Sequence, residues 1–220
     1  MGKGWIAGLG VVTLLAGCSG DRPRDRPRHA PPVTLNSEPS RETRQCFTDL
    51  SAANVRFSPL PDRDYGGGCT VVGAVQLIDF GVPTSNLSAM SCPLSRTFIG
   101  WVRYGVVPAA REILGSPVVR VESFGTYSCR GIVGGGGASA GILSEHATAN
   151  AVDVSAFILA DGRRISIEHD WRNQNPAVRQ FLDTVRASAC KRFKTVLSPD
   201  YNAAHYNHFH LDMGRGPFCR

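Results

Sequence analysis

The sequence has 220 residues, 42% of them hydrophobic and 19% charged, with 24 Gly and 14 Pro. That balance is globular and turn-rich, long enough for one ordinary domain plus a tail, and it excludes a fixed-period solenoid or fibre. The formal charge of +6 suits an anionic wall or lipid surface, and the lack of a basic-aromatic patch speaks against a nucleic-acid partner.

The first element in chain order is a processing signal. Lys3 supplies a small positive start, and Trp5 to Ala16 is apolar but too short for a comfortable membrane span. The run ends in Leu15-Ala16-Gly17-Cys18, which resembles the bacterial lipobox. That resemblance implies cleavage before Cys18, a diacylglycerol on its thiol, and a lipid-anchored protein on the periplasmic side of the cell envelope. Ser19 after the cysteine favours the outer membrane. Residues 1–17 are thus expected to be a signal peptide.

Residues 18–44 read as a tether. Asp21-Arg22-Pro23-Arg24-Asp25-Arg26-Pro27-Arg28 alternates charge and proline, and Pro31-Pro32 follows. Such a segment buries too little apolar area to offset chain entropy. Stiffened toward polyproline II at about 3.1 Å per residue, it reaches on the order of 75 Å.

The folded domain is expected over 45–220. Thr70 to Leu77 reads as a strand, and Pro93 to Leu114 as a helix with a kink or split at Pro108. Val118 to Phe124 is the next strand, and Gly134 to Gly137 is a flexible loop beside a cleft. Ala151 to Leu159 and Arg163 to Glu168 form a hairpin across Asp161-Gly162. Pro176 to Phe193 is a helix, and His208 to Asp212 a short last strand. This mixture predicts an α+β fold with a small antiparallel sheet and flanking helices. Apart from Cys18, the cysteines are Cys46, Cys69, Cys92, Cys129, Cys190 and Cys219, an even set that predicts three disulfides in an oxidising compartment. Many pairings are open. Pairing chain neighbours gives Cys46–Cys69, Cys92–Cys129 and Cys190–Cys219.

Four of the six histidines fall in two clusters, Ser144 to Asp153 and His205 to Asp212. In an extended last segment, His208, His210 and Asp212 share one face while Phe209 and Leu211 face the core. Asp153 lies opposite Val152 and Val154 in side-chain direction, and small residues let His146 fold back beside it. His146, Asp153 and His210 form a two-imidazole, one-carboxylate set suited to zinc, with a fourth position open as catalytic sites require. His208, two residues from His210, is placed to move a proton. Asp212 reads as a hydrogen-bond partner for a histidine, Ser144 as a support for the loop, and Glu145 as pointing away from the metal.

The first cluster is similar to the S-x-H-x-x-G-x-A-x-D motif of the peptidases that include D-Ala-D-Ala carboxypeptidases, lysostaphin-type enzymes and the hedgehog zinc fold. His205-x-x-His208-x-His210 resembles the closing motif of penicillin-insensitive murein endopeptidase. More closely, the chain from about Cys46 to Arg220 resembles the bacterial extensin-like C-terminal domain. That likeness lies in Tyr127-Ser128-Cys129-Arg130, Ser144-Glu145-His146-Ala147, Phe193-Lys194-Thr195-Val196-Leu197, His208-Phe209-His210-Leu211-Asp212 and Cys219-Arg220.

The resemblance implies a disulfide-braced zinc fold of the hedgehog and D-Ala-D-Ala-peptidase kind. It implies a zinc peptidase, endo- or carboxy-, acting on peptidoglycan peptides. In it His146, Asp153 and His210 are metal ligands, His208 orients or deprotonates the water, and His205 assists by binding oxyanion or substrate. Arg130 steadies a substrate carboxylate or the oxyanion. The motif glycine is Ala149 here, a departure that costs on the order of 1 kcal/mol if φ must be positive. The competing expectation is a non-catalytic wall-binding or scaffolding lipoprotein on the same scaffold.

Overall fold

The computed structural model describes residues 1, 2, 4, 31–35 and 38–220. Cys18, His29 and most of the expected tether lie outside them. Two elements begin ahead of residue 45. Strand β1 (Val33–Thr34) is paired, and helix α1 (Arg41–Ala52) starts at Ser40, whose Oγ accepts the Thr43 N–H at 3.1 Å.

Strands β2 (Arg56–Pro59), β3 (Arg63–Asp64), β4 (Thr70–Val71), β5 (Ala74–Asp79) and β6 (Met90–Ser91) build two small antiparallel sheets, ordered β1-β3-β4 and β2-β5-β6. The single strand expected from Thr70 to Leu77 is two. Gly73 breaks it with φ of 57°, and a Cβ there would stand 2.7 Å from Thr43 Oγ1.

Helices α2 (Cys92–Trp101) and α3 (Val107–Leu114) carry the apolar stripe expected for 93–114. The join is a π-helical turn over Val102–Val106, just ahead of Pro108. A wide turn there accommodates a ring that lacks an N–H and crowds the preceding carbonyl. Gly105 in that turn touches the later helix that carries Ser188, where a Cβ would stand 2.4 Å from Ser188 Oγ. Among the described residues no helix is long and apolar enough to cross a membrane.

The main sheet holds β7 (Val118–Gly125), β8 (Ala151–Leu159), β9 (Arg164–Ser166), β10 (Thr195–Leu197), β11 (Phe209–Asp212) and β12 (Phe218–Cys219). Its order is β12-β10-β11-β8-β7, with β9 also on β8, and all pairs are antiparallel except β10–β12. The returning hairpin arm is shorter than expected. After Ser166 the chain turns into helix α4 (Ile167–Asp170), with Ser166 Oγ as its cap.

One face of this sheet is the core. Val152, Val154, Val196, Phe209 and Leu211 are fully buried there, against α2, α3 and α5 (Pro176–Cys190). Trp101 stands at the centre, edge-on to Phe157 and Phe193, with its indole N–H donated to the Val185 carbonyl at 2.9 Å. Five inward side chains from three adjacent strands fix the register, because a one-residue slip would turn them all to water. The same register places their polar neighbours on the opposite face.

The disulfides are Cys46–Cys92, Cys69–Cys129 and Cys190–Cys219. The third is as expected from the sequence; the first two correct the chain-neighbour pairing. Packing of α1 on α2 brings Cys46 to Cys92, with Cα atoms 6.1 Å apart. Cys69 reaches Cys129 beyond the end of β7, with Cα atoms 5.5 Å apart. Distance in space, not in sequence, sets which thiols can meet.

Candidate metal centre

Antiparallel pairing puts His210 of β11 directly opposite Asp153 of β8. Both therefore project from the face away from the core. His146 arrives from a short 3₁₀ turn, Glu145–Thr148, capped by Ser144, whose Oγ accepts the His146 N–H at 3.4 Å. The supporting role expected of Ser144 is the one it has.

The turn closes at Ala149, which has φ of 56° and ψ of 29°. The motif position does need a left-handed residue. Ala149 takes that shape with its methyl fully buried against Val71 and Ala74. Its carbonyl accepts the Ser91 N–H at 2.7 Å, so the turn is held from outside. Methyl burial offsets much of the roughly 1 kcal/mol cost of the left-handed alanine.

One donor atom each from His146, Asp153 and His210 lies within 4.8 Å of the other two, and the residues are 2%, 8% and 7% exposed. The group can hold a metal ion. His146 Nε2 is 3.1 Å from Asp153 Oδ2 and 3.2 Å from His210 Nδ1, which is 3.0 Å from Asp153 Oδ1. The outer ring nitrogens are fixed by acceptors. His146 Nδ1–H donates to the Thr126 carbonyl at 2.7 Å, and His210 Nε2–H donates to Asp212 Oδ2 at 2.9 Å. Both inner nitrogens thus turn lone pairs toward one carboxylate. Such a trio needs a shared positive charge, either a proton on His210 or a cation.

Electrostatics agree with that demand. Burial opposes charge on both partners. The imidazoles of His146 and His210 packed against it still hold the Asp153 carboxyl well below the usual carboxylate range. Burial likewise opposes the His210 imidazolium, but Asp153 and Asp212 push it up to about 9. A divalent cation bound here would displace that proton. Two nitrogens, one carboxylate oxygen and fixed ring orientations fit zinc chemistry.

His208 stands beside the trio, with Nε2 3.5 Å from Asp153 Oδ1 and Nδ1 2.8 Å from Asn207 Oδ1. Burial, opposed by Asp153 and helped by His210, lowers its value, so it is neutral and free to accept a proton. Arg130 Nη2 lies 3.8 Å from Asp153 Oδ2. Cys129 beside it is bonded to Cys69, which braces its position.

Of the two roles expected of His205, its surroundings suit contact with a substrate donor better than contact with an oxyanion. Asn202 Nδ2 donates to the Gly134 carbonyl at 3.0 Å, and its Oδ1 accepts the Ala204 N–H at 3.0 Å. That orientation forces the His205 Nδ1–H to donate to Oδ1, at 2.7 Å. Nε2 is left as an acceptor, whereas binding an oxyanion requires a donor. Burial first, then the charges of His208 and His210, push His205 down to about 4, so it stays neutral.

A cleft of about 940 Å³ opens beside the trio, lined among others by Arg130, Glu145, His205, His208 and His210. The Gly134–Gly137 loop borders it through Gly135. Glu145 faces the cleft wall and not the metal trio, since Oε2 accepts the Asn150 amide at 2.7 Å.

A family model described as extensin-like protein C-terminus matches residues 44–220. The chain belongs to the extensin-like family. No curated protein and no solved structure matches it. In this extensin-like domain the matched region contains the whole metal group, the cleft and the three disulfides.

The signals missed in the sequence are the partners of the ligands. Thr126 acts through its carbonyl, which no side-chain motif reveals. Leu197 and Thr195 reach the cleft floor because β10 pairs with β11, opposite His210 and Asp212. Asp212 is the exception: its two-residue spacing from His210 identified it.

Proposed function

We propose that this extensin-like domain is a zinc-dependent peptidase that cuts peptide stems or cross-links of peptidoglycan. The observation that carries the reading is the trio of His146, Asp153 and His210 with both outer ring nitrogens satisfied, one of whose members, His210, lines a cleft. A structural zinc has four protein ligands, whereas three leave a place for water or substrate. In this reading the domain shares the fold of the D-Ala-D-Ala-peptidase and hedgehog zinc proteins.

Zinc at these ligands would supply Lewis acidity to a carbonyl and lower the pKa of water. The chain supplies the rest. Asp212 and the Thr126 carbonyl hold the imidazoles in the ligating tautomer. His208, neutral and at the edge of the trio, takes a proton at Nε2 and can return it to a leaving amine. Arg130, permanently charged and lining the same cleft, would receive negative charge developing on a substrate oxygen.

The same reading anchors the protein by lipid on Cys18 in the periplasm, at the outer membrane. A clickable fatty acid should label the wild type and not Cys18→Ala.

The direct test incubates purified sacculi with the protein, with and without chelator, and follows released muropeptides by mass. Chelator-sensitive release is expected. An unchanged muropeptide profile across pH 5–9 would remove the enzymatic reading and favour the wall-binding alternative.

A further inference from the structure

The cleft has a direction set by the sheet. Asp153, His210 and Leu197 face one another across β8, β11 and β10, and Asp212, Thr195 and Phe218 form a second row across β11, β10 and β12. The floor thus crosses the strands from the metal group to the sheet edge. Three strand spacings of about 4.8 Å make it roughly 14 Å long, enough for about four extended peptide residues.

Arg215 stands toward the edge of this floor and lines the cleft with its neighbour in space, Thr195. Its turn is clamped. Thr195 Oγ1–H donates to the Arg215 carbonyl at 3.0 Å. Gly216 lies so close to Lys194 that a Cβ would stand 2.1 Å from its carbonyl oxygen. Gly214 packs on Glu145, where a Cβ would stand 2.3 Å from Oε1, and donates its N–H to Asp212 Oδ1 at 2.9 Å. The turn carrying Arg215 is therefore tied to Asp212, the residue that orients His210. Among the described residues Arg215 has no ion-pair partner. Of the cleft carboxylates, Glu145 is engaged with Asn150, and Asp212 with His210 and Gly214. Apolar Leu197, Tyr201 and Phe218 line the floor and walls around it.

We infer that Arg215 is a specificity-determining residue that receives a side-group carboxylate of a peptide lying across β11, β10 and β12. This rests on the reading of the metal group as the place of cleavage. Two strand spacings put that carboxylate on the order of 10 Å from the reacting bond, about three residues along an extended chain. The ligand class is an acidic peptide whose anionic group is separate from any carboxylate at Arg130. A guanidinium fork is suited to it by charge and by geometry.

The probes are a peptidoglycan stem tetrapeptide with free carboxylates and the same peptide with its side-group carboxylates amidated and its C-terminus free. Each is titrated calorimetrically into the full chain, zinc-loaded and chelator-treated. Wild type should bind the free peptide about tenfold more tightly. Arg215→Ala should bring the two within about twofold, and Arg215→Lys should keep an intermediate preference, all with wild-type zinc content. Absence of a preference in wild type, or a preference undiminished in Arg215→Ala, overturns the inference. Cleavage of the same peptides is followed in parallel. Loss of preference in Arg215→Ala with no cleavage by any variant supports the carboxylate subsite and removes the peptidase. Equal cleavage of both peptides by wild type and Arg215→Ala removes the subsite and leaves the peptidase standing.

Discussion

Replacing Asp212 by Asn should weaken zinc binding while leaving the fold intact. Asp212 accepts twice, from His210 Nε2–H at 2.9 Å through Oδ2 and from the Gly214 N–H at 2.9 Å through Oδ1. Asparagine is nearly the same shape but has one acceptor end and one donor end. Either way round, one buried N–H meets an amide NH₂. An unsatisfied buried donor costs about 1–3 kcal/mol, which corresponds to zinc binding weaker by on the order of 10- to 100-fold. Proton competition complicates the measurement at neutral pH. Loss of the Asp212 charge also loosens the His210 proton, which favours the metal and hides part of the effect. At pH 9, where His210 in the wild type is pushed up to about 9 and so is half deprotonated, that masking is small. The assay is therefore competition against a chromophoric chelator at pH 9, with His146→Ala as the control lacking a ligand. Melting of the metal-free variant should fall by several degrees, about 2–4 °C per kcal/mol, and remain a single cooperative transition. If Asp212→Asn binds zinc within about threefold of wild type at pH 9, the argument that Asp212 fixes the ligating tautomer is refuted.

Other consequences are as direct. His208→Gln should retain one zinc and lose about 10²–10⁴-fold in kcat, because His208 is beside the trio and not in it; loss of zinc by this variant would contradict that placement. Ala149→Gly should shift stability by less than about 1 kcal/mol, since relief of the left-handed alanine and loss of its buried methyl nearly cancel; chemical denaturation checks this. In metal-free protein, Asp153 is held low and His210 high. The Asp153 contribution is present above about pH 4 and lost on acidification, while that of His210 is full below about pH 6.5 and fades as pH rises through about 9. Zinc competes with the His210 proton, so the gap between loaded and chelated melting temperatures should widen from pH 5 to pH 9; a narrowing gap would count against metal at this trio.

The sequence carried the elements whose patterns are local. The nine residues Ala151–Leu159 and the stripe of α5 were readable because one face of each is apolar at a fixed period. The helix α1 was not, because its charged stretch Arg41 to Gln45 continues the polar composition of the tether, and only Cys46 and Leu50 bury. Strand β10 is three residues long, too short to show alternation. The disulfide partners of Cys46 and Cys69 depended on which helices and turns pack together. His205 was visible as a histidine near the others, but its role turned on Asn202, whose orientation is set by a carbonyl 68 residues away in sequence.

The sequence by itself determined that His146, Asp153 and His210 can gather as a metal-holding group, with His208 and Asp212 on the same face. Residue type and spacing along a strand are local facts, and they suffice for chemistry that depends on which side chains share a face. Tertiary structure alone decided that the Thr126 carbonyl locks His146, that His205 is an acceptor, and that the cleft runs across the strands toward Arg215. Those depend on strand order and backbone carbonyl positions, which are set by how the buried face of the sheet packs on its helices.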